Sequence, residues 1–267
     1  MIINDSGTAL ITGASSGLGA IYADRLARQG YDLVLVARNI AKLEMLGERI
    51  ASDTGRTVRT IGADLTDGGA LQRVEDALLT DHSVRMLVNN AGAGSTVPLQ
   101  DLDVVSIERI VALNVTALTR LARAAATAFL ERGGGTIVNM GSILALAPEV
   151  LSGGVYSGSK AYVLAFSQAL RNDFGDRGVR VQVVMPGATA TDFWELSGMP
   201  VEALPANIVM TAEDVVDAAL SGLAQGEFAT LPSLPDIDQW DAWEAARRAL
   251  LPGLSRTSPA SRYHMGS

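Results

Sequence analysis

A tyrosine and a lysine four residues apart are the two side chains in this sequence best suited to proton transfer. Tyr156 and Lys160 open a stretch with helical spacing, so both side chains lie on one face of the predicted helix. A nearby ammonium favours the phenolate and lowers the pKa of a tyrosine from its ordinary value of about 10. Lys42 is the only other lysine in the chain. We predict that Tyr156 is a general acid/base.

A glycine-rich turn near the start of the chain has the composition of a phosphate-binding loop. The run Thr12-Gly13-Ala14-Ser15-Ser16-Gly17-Leu18-Gly19 lies between a predicted strand and a predicted helix. Glycines let the backbone approach a pyrophosphate, and the free N–H groups at the start of the helix face its negative charge. A strand, loop, helix and second strand within residues 8–37 provide the context that a dinucleotide site requires. The predicted ligands are Gly13, Ser15, Ser16, Gly17, Leu18 and Gly19.

The end of the second predicted strand bears on the choice of dinucleotide. An NAD site usually has an Asp or Glu there, which accepts a hydrogen bond from the ribose 2′-hydroxyl. This sequence has Val36-Ala37-Arg38 instead, without a carboxylate. The Arg38 guanidinium can make charge-assisted hydrogen bonds to a 2′-phosphate, which NADP carries and NAD lacks. We predict NADP(H) as the cofactor, with NAD(H) as the less favoured alternative.

The elements that would position these residues alternate along the chain. Apolar, β-branched runs predict strands at 8–12, 31–36, 58–61, 84–88, 136–140 and 179–184. Helical patterns fall between and after them, at 17–30, 40–52, 69–79, 106–132, 155–177 and 212–224. Strands that are apolar on both faces and separated by helices indicate a parallel sheet covered on both sides. The predicted fold class is α/β, with a doubly wound parallel sheet.

Composition restricts the classes of function and partner. The 267 residues include 21 Lys and Arg against 29 Asp and Glu, for a net charge of −8, and 48% are hydrophobic. An acidic chain without a basic cluster is poorly suited to bind nucleic acid or an anionic membrane. The absence of cysteine excludes disulfides, thiolate nucleophiles and cysteine-ligated metals, and the two histidines form no zinc motif. We expect no metal, no membrane span and a cytoplasmic location.

Several polar motifs follow the predicted strands in a fixed order. Asn89-Asn90-Ala91-Gly92 follows the fourth strand, Asn114 lies in the long helix, and Ser142 follows the fifth strand, ahead of the tyrosine–lysine pair. With the Thr12–Gly19 loop, this ordered set resembles the short-chain dehydrogenase/reductase family, in its compact single-domain branch. The resemblance covers residues 8–231. It implies a Rossmann-type fold of about seven strands and an oxidoreductase activity.

The end of the chain differs in character from the rest. The segment from residue 232 onward contains several prolines and has Trp240 and Trp243 close together. It has too little apolar sequence for a core of its own. We expect residues 1–267 to form one Rossmann-type domain, with residues 232–267 as a C-terminal extension packed on it. In the family, the helices that carry Asn114 and Tyr156 build the subunit contact, which implies a homodimer or homotetramer.

The resemblance implies a role for each motif. Tyr156 would protonate the carbonyl oxygen during reduction, and Ser142 would hydrogen-bond that oxygen. Lys160 would hold the nicotinamide ribose and lower the pKa of Tyr156, while Asn114 would hold a water that relays protons to Lys160. The other cofactor contacts implied by the resemblance are Asp64, Leu65, Asn90, Ala91, Gly92, Pro186, Gly187, Thr189 and Thr191. On the residues alone, Asp64 could instead cap the following helix, and Thr12 could link neighbouring strands.

Two positions depart from the family pattern. Gly158 stands where the family often has Ala or Thr, and a glycine inside a helix costs about 1 kcal/mol relative to alanine. Ser16 stands where many NADP-preferring members carry a basic residue. The NADP prediction therefore depends mainly on Arg38, with Ser15 and Asn39 as further candidates.

By the same resemblance, Pro186, Gly187, Thr189 and Thr191 would position the nicotinamide carboxamide, and the apolar residues that follow them bear on the substrate. The segment that forms the substrate lid in the family contains Phe193 and Trp194, and Leu144 and Val150 lie between Ser142 and the catalytic pair. An apolar lid suits hydrophobic ketones and the matching secondary alcohols. We predict a carbonyl reductase/secondary-alcohol dehydrogenase with these four side chains in its substrate pocket.

Two other functions stay open. A β-ketoacyl-carrier-protein reductase would need a basic surface for its acidic partner, which Arg120, Arg123 and Arg132 could supply. The net charge of −8 argues mildly against such a surface. A non-catalytic NADP-binding regulatory protein is the third hypothesis, and the presence of Ser142 with the tyrosine–lysine pair weighs against it.

Overall fold

A parallel seven-stranded sheet lies at the centre of the part of the chain described by a computed structural model, residues 7–151 and 154–263. Every pairing between neighbouring strands is parallel. The order across the sheet is β3-β2-β1-β4-β5-β6-β7, so the direction of strand addition reverses between β1 and β4, where open α/β sheets bind ligands. The strands are β1 (Thr8–Thr12), β2 (Asp32–Ala37), β3 (Val58–Gly62), β4 (Val84–Asn89), β5 (Gly135–Met140), β6 (Val179–Val184) and β7 (Ala229–Thr230). The predicted α/β doubly wound sheet is confirmed.

Helices cover both faces of this sheet. They are α1 (Gly17–Arg28), α2 (Ile40–Thr54), α3 (Gly68–Thr80), α4 (Val104–Val111), α5 (Leu118–Glu131), α6 (Gly154–Phe174), α7 (Phe193–Leu196) and α8 (Ala212–Gln225). Side chains of α1, α2 and α8 share one apolar core, and those of α3, α5 and α6 share the other. Successive residues of β1 alternate between the two, Leu10 facing one core and Ile11 the other. The apolar strands are therefore buried on both sides.

Short polar side chains begin several of the helices. Asn39 accepts a hydrogen bond from the Lys42 backbone N–H at 3.0 Å and caps α2. Asp67 does the same for α3, accepting from Ala70 N at 2.7 Å. Asp64 is therefore not the cap of α3. Its carboxylate instead accepts from the backbone N–H of Thr66 at 3.0 Å, in the loop that follows β3.

The long helix predicted at 106–132 is interrupted in its middle. Helix α4 passes into a π-helical segment, Ala112–Ala117, before α5 begins at Leu118. A π segment inserts one extra residue per turn and often marks a functional site. Asn114 lies within it and its side chain is buried. Hydrophobic periodicity does not reveal this interruption, because the apolar face continues through it.

The chain divides into two compact units, residues 1–232 and residues 233–267. The second unit contains a helix, α9 (Ile237–Ala249), on which the rings of Trp240 and Trp243 stack at 5.0 Å. Glu244 in the same helix accepts hydrogen bonds from Arg247 and Arg248. The packing of this segment on the Rossmann-type domain stays a prediction. No helix among the described residues has the length and apolar character needed to cross a membrane.

Gly158 offers a test of helix propensity in α6. A Cβ built at this position meets no atom within 4 Å, and the residue is exposed. Gly158→Ala should therefore raise the free energy of unfolding by about 0.5–1 kcal/mol, since alanine removes the backbone-entropy cost of glycine without a clash. Urea denaturation measures the change. An unchanged or lower stability would contradict the open environment described for residue 158.

Candidate active site

The loops after β1 and β4 are tied together at the carboxyl edge of the sheet. Thr12 Oγ1 accepts hydrogen bonds from the backbone N–H groups of Asn90 and Ala91, at 3.1 and 3.0 Å. Asn90 Nδ2 donates in return to the Thr12 carbonyl at 3.0 Å. Thr12 therefore links neighbouring strands, as the sequence allowed, and Asn90 is committed to the glycine-rich loop. Gly92 follows directly and is exposed.

Two glycines of the glycine-rich loop lie so close to neighbouring backbone atoms that no side chain would fit there. Gly13 has a positive φ of 67°, which favours glycine, and a Cβ there would lie 2.9 Å from Ala91 Cα. A Cβ at Gly19 would lie 2.3 Å from the Gly13 carbonyl oxygen. Backbone atoms cannot yield to a side chain, so both positions require glycine. The loop is thus held in one conformation over the start of α1.

The start of α1 presents donors suited to an anion. Ser16 is the N-cap residue, yet no side chain caps the first N–H groups of this helix. Gly17, with a positive φ of 52°, and Leu18 occupy the first turn, and Ser15 is half-buried beside them. Uncapped N–H groups and the helix dipole favour a negative charge at this point. This donor set fits the pyrophosphate of a dinucleotide.

The end of β2 carries an unpaired cation. Within residues 7–151 and 154–263, Arg38 is exposed and has no ion pair or hydrogen bond. Asp64 lies near it across the sheet edge. Hydrogen bonding from the Thr66 backbone holds the Asp64 pKa below its ordinary value, and the positive charge of Arg38 contributes to that shift. Leu65 is buried next to this exposed carboxylate.

Ser142, Tyr156 and Lys160 come together beyond the end of β5. Ser142 follows the strand and accepts a hydrogen bond from Leu144 N at 3.2 Å. Lys160 Nζ donates to the carbonyl of Met140, the last residue of β5, at 2.7 Å. The same Nζ lies 5.6 Å from the centroid of the Tyr156 ring. The sheet thus brings a hydroxyl, a phenol and an ammonium to one place.

Burial dominates the protonation of the pair. It raises the pKa of Tyr156 well above its ordinary value of about 10, and the hydrogen bond with Ser142 offsets this only in part. Burial also lowers the pKa of Lys160 to about 8. The expected lowering of the Tyr156 pKa by Lys160 stays a prediction, because the shift in this structure is dominated by desolvation of the phenolate. Tyr156 is a neutral phenol at neutral pH, which is the form that donates a proton.

Asn114 fixes the loop after β4 against α6. Its Oδ1 accepts from Ala93 N at 2.8 Å, and its Nδ2 donates to the Ala93 carbonyl at 2.8 Å and to Ser159 Oγ at 2.9 Å. A Cβ at Gly92 would lie 3.4 Å from Asn114 Oδ1 and 3.7 Å from Lys160 Nζ. Both N–H donors of the Asn114 side chain are thus used, and Oδ1 accepts one hydrogen bond. The role of Asn114 in a proton relay stays a prediction.

The segment after β6 is arranged by its own hydrogen bonds. The Pro186 carbonyl accepts from Ile143 N at 3.0 Å, which joins this segment to the loop that carries Ser142. Thr189 Oγ1 donates to the Gly187 carbonyl at 3.1 Å, and Thr191 Oγ1 lies 3.5 Å from the Thr189 carbonyl. These four predicted nicotinamide contacts therefore lie on one ordered stretch next to the Ser142 loop.

The four predicted pocket residues differ in their surroundings. The Phe193 ring packs on the Tyr156 ring, with centroids 5.4 Å apart. Leu144 is buried, whereas the side chain of Val150 is 64% exposed. The Trp194 indole N–H donates to the Thr189 carbonyl at 2.8 Å, so this side chain anchors α7. Of the four, the structure brings Phe193 directly to the phenol.

Two residues near the site were not singled out from the sequence. Ser159 links the pair to Asn114, because its Oγ donates to the Tyr156 carbonyl at 2.7 Å and accepts from Asn114. Gly94 lies under the ring of Phe193. Ser159 directly precedes Lys160 in the sequence, and this position could have marked it as part of the site. Nothing in the local sequence marks Gly94.

Comparison with known proteins identifies the family. A family model described as short chain dehydrogenase matches residues 7–199. The chain belongs to this family. The motif order from the glycine-rich loop to Lys160 is therefore the order of a short-chain dehydrogenase, as the sequence predicted, and the protein is an oxidoreductase of alcohol and carbonyl groups.

Solved structures and curated relatives show the same likeness. A short-chain dehydrogenase from Sphingobium yanoikuyae in complex with NADPH is 43% identical, with a TM-score of 0.93 over 96% of this chain and 100% of that one. The bulky-bulky ketone specific alcohol dehydrogenase from Comamonas testosteroni is 40% identical, with a TM-score of 0.90 over 98% and 100%. Human 17-beta-hydroxysteroid dehydrogenase type 3 is 32% identical over 82% of this chain and 68% of that protein.

The lowered pKa of Lys160 predicts a pH dependence of stability. The unfolded chain binds this proton more tightly, at an ordinary pKa of about 10.4, than the folded chain does at about 8. Between these values the unfolded state therefore holds more protons, and stability rises with pH. We therefore compare the free energies of unfolding of the wild type and of Lys160→Met. Their difference, wild type minus variant, should rise by on the order of 2 kcal/mol from about pH 8 to about pH 10.

Chemical denaturation of both proteins across this range measures the difference. Subtraction of the Lys160→Met curve removes the contribution of all other titrating groups. A constant difference would show that the Lys160 ammonium is as well solvated in the folded protein as in the unfolded chain.

Proposed function

We propose that this short-chain dehydrogenase is an NADP(H)-dependent ketone reductase and secondary-alcohol dehydrogenase. The observation that carries the proposal is the assembly of Tyr156, Ser142 and Lys160 at the carboxyl edge of the sheet. A protonated phenol beside a hydroxyl and a buried ammonium is the arrangement that reduction of a carbonyl needs.

The proposed cofactor is NADP(H). The uncapped start of α1 would hold its pyrophosphate, and the unpaired guanidinium of Arg38 would bind its 2′-phosphate. The NADPH bound to the Sphingobium relative, at 43% identity, supports this choice. When bound, the reduced nicotinamide supplies a hydride to the carbonyl carbon.

The side chains of the site would supply the proton and hold the substrate. Ser142 and Tyr156 would both hydrogen-bond the substrate oxygen and stabilise the negative charge that develops there. Tyr156 then donates its proton to that oxygen, so that the ketone gains one hydride and one proton and becomes a secondary alcohol. Lys160, with a pKa of about 8, is mainly an ammonium at neutral pH and stabilises the phenolate that remains. In alcohol oxidation the same groups act in reverse.

The proposed substrates are ketones with hydrophobic groups on both sides of the carbonyl. The ring of Phe193 next to Tyr156 and the buried side chain of Leu144 offer apolar surface at the end of β5. The Comamonas relative, at 40% identity, is described as specific for bulky-bulky ketones, which supports the same class.

Reduction of an acyl chain on a carrier protein is the less supported alternative. It would require basic side chains that are free to meet an acidic partner. Arg120 donates two hydrogen bonds to Glu75, and Arg132 donates to the backbone carbonyls of Leu78 and Leu79. Both arginines are therefore committed within the chain, which leaves the exposed Arg123 as the remaining candidate. The regulatory alternative has no observation in its favour, because the three catalytic side chains are all present and assembled.

An oligomer and a cytoplasmic location remain parts of the proposal. Val104 and Val105 are exposed at the start of α4, and Val111 is exposed at its end. Exposed apolar side chains on one short helix favour a subunit contact, in keeping with a homodimer or homotetramer. Light scattering after size-exclusion chromatography distinguishes the two assemblies from a monomer.

Replacement of Arg38 tests the cofactor. Arg38→Ala should raise the dissociation constant of NADPH by about 10- to 100-fold, because it removes charge-assisted hydrogen bonds to the 2′-phosphate, and should leave NADH binding within about twofold. Nucleotide fluorescence titration measures both constants. Arg49→Ala, which removes an equal charge from the exposed face of α2, is the control. Equal losses for the two nucleotides would refute the 2′-phosphate contact.

Replacement of Tyr156 tests the proton donor. Tyr156→Phe keeps the ring that packs on Phe193 and removes only the hydroxyl. Turnover of ketones should fall by about 10²- to 10⁴-fold, the usual contribution of a general acid, while NADPH affinity stays within about twofold. Absorbance at the nicotinamide band gives the rate. Near-normal turnover in this variant would remove Tyr156 from the mechanism.

A further inference from the structure

The ring of Phe193 occupies a slot that exists only because residue 94 is a glycine. A Cβ at Gly94 would lie 2.3 Å from Phe193 Cζ and 2.8 Å from Cε2. Real side-chain atoms do not approach so closely, so an alanine at residue 94 would displace the ring. The displaced atoms are the far end of a side chain, which rotates more easily than the backbone moves.

Backbone conformation does not explain this glycine. Gly198, at the end of α7, has a positive φ of 95°, which favours glycine for conformational reasons. Gly94 does not adopt a positive φ, so this reason for a glycine does not apply to it. What residue 94 contributes is therefore the space left by a missing side chain.

The same ring also packs on the proposed proton donor. The rings of Phe193 and Tyr156 have centroids 5.4 Å apart and are inclined at 44°. Phe193 thus lies close to both Gly94 and Tyr156. It is only half-buried, unlike Phe129, whose ring also lies over a glycine, Gly135, but is fully buried in the core. The Phe193 ring keeps surface available to a ligand.

Hydrogen bonds hold α7, and with it the backbone of Phe193, on two sides. The Trp194 indole donates to the Thr189 carbonyl at 2.8 Å. The backbone N–H and the Oγ1 of Thr96 both donate to the Ser197 carbonyl, at 3.0 and 3.1 Å. Ser197 Oγ donates to the Phe193 carbonyl at 2.6 Å. Because this backbone is tethered, the space at residue 94 decides where the Phe193 ring lies.

We infer that Gly94 and Phe193 are a coupled specificity-determining pair. Gly94 positions the Phe193 ring as a flat aromatic wall beside Tyr156, and the wall selects ketones that carry a planar aryl group over equally large, non-planar ones. Aromatic rings gain about 2- to 10-fold in affinity from offset or edge contact, beyond the burial of their area. This inference rests on the proposed function and names the shape of substituent within it.

Two ketones of similar size test the inference. Propiophenone presents a flat ring to the wall, and cyclohexyl ethyl ketone presents a puckered ring with the same number of carbons. The measurement is the ratio of kcat/KM for the aryl ketone to that for the cyclohexyl ketone, with NADPH. Both ketones take their proton from the same group, and loss of folded enzyme lowers both rates equally, so the ratio isolates the wall.

Three variants and their combination give the expected pattern. Phe193→Ala and Phe193→Leu remove the aromatic ring and should each lower the ratio about fivefold. Gly94→Ala should lower it by a similar factor, because its methyl group displaces the ring. In the Phe193→Ala background, Gly94→Ala should not lower the ratio further, since the methyl group then has no aromatic ring to displace.

Leu196→Ala is the matched control. Leu196 lies in the same short helix, and its side chain is 80% exposed, so its loss should leave the ratio unchanged. If the wild type reduces both ketones but Phe193→Leu and Gly94→Ala leave the ratio unchanged, this inference is overturned and the proposed function is not. A wild type that reduces no ketone with NADPH would overturn the proposed function as well. Additive effects of Gly94→Ala and Phe193→Ala would refute the coupling.

Discussion

A buried hydrogen bond from the Lys160 ammonium to the Met140 carbonyl joins α6 to the end of strand β5, and a second, from Asn139 Nδ2 to Ser167 Oγ, joins the same two elements further along the helix. Burial of a charge is costly unless its donors are satisfied, and the lowered pKa of Lys160 records that cost. Together with the bond from Asn114 to Ser159, these contacts fix the rotation of α6 about its own axis. Because Tyr156 lies one turn before Lys160 on that helix, they also bring its phenol to Ser142, beyond the end of β5. The position of the tyrosine–lysine pair thus depends on the buried polar contacts of α6.

The elements most reliably predicted from the sequence are strands rich in β-branched residues. The strands at Thr8–Thr12 and Val179–Val184 have the predicted bounds, because valine, isoleucine and threonine occupy most of their positions. The two-residue strand β7 was not predicted, since two residues carry no period. The π segment Ala112–Ala117 was missed because it changes hydrogen bonding without changing composition.

The site, like the fold, was predictable from the sequence only in part. The convergence of Ser142, Tyr156 and Lys160 follows from helical spacing and from the shared edge of a parallel sheet, and the sequence carries both. Desolvation depends on everything packed around a group, which explains why the raised pKa of Tyr156 was not foreseen. Gly94 was missed for a related reason. Its partner, Phe193, is about 100 residues away, and only the folded chain brings them together.

In the proposed mechanism, the ring of Phe193 affects both the shape of substrate that fits the site and the environment of the Tyr156 phenol. The ring packs on Tyr156 and so contributes to the burial that raises the pKa of the phenol. A neutral phenol donates its proton only when the oxygen that receives it gains negative charge, which happens as the carbonyl is reduced. A substrate that fills the space against the ring completes this burial. A poorly fitting ketone leaves water beside the phenol, and the charge developing on its oxygen is then shared with solvent instead of being met by Tyr156 and Ser142 alone.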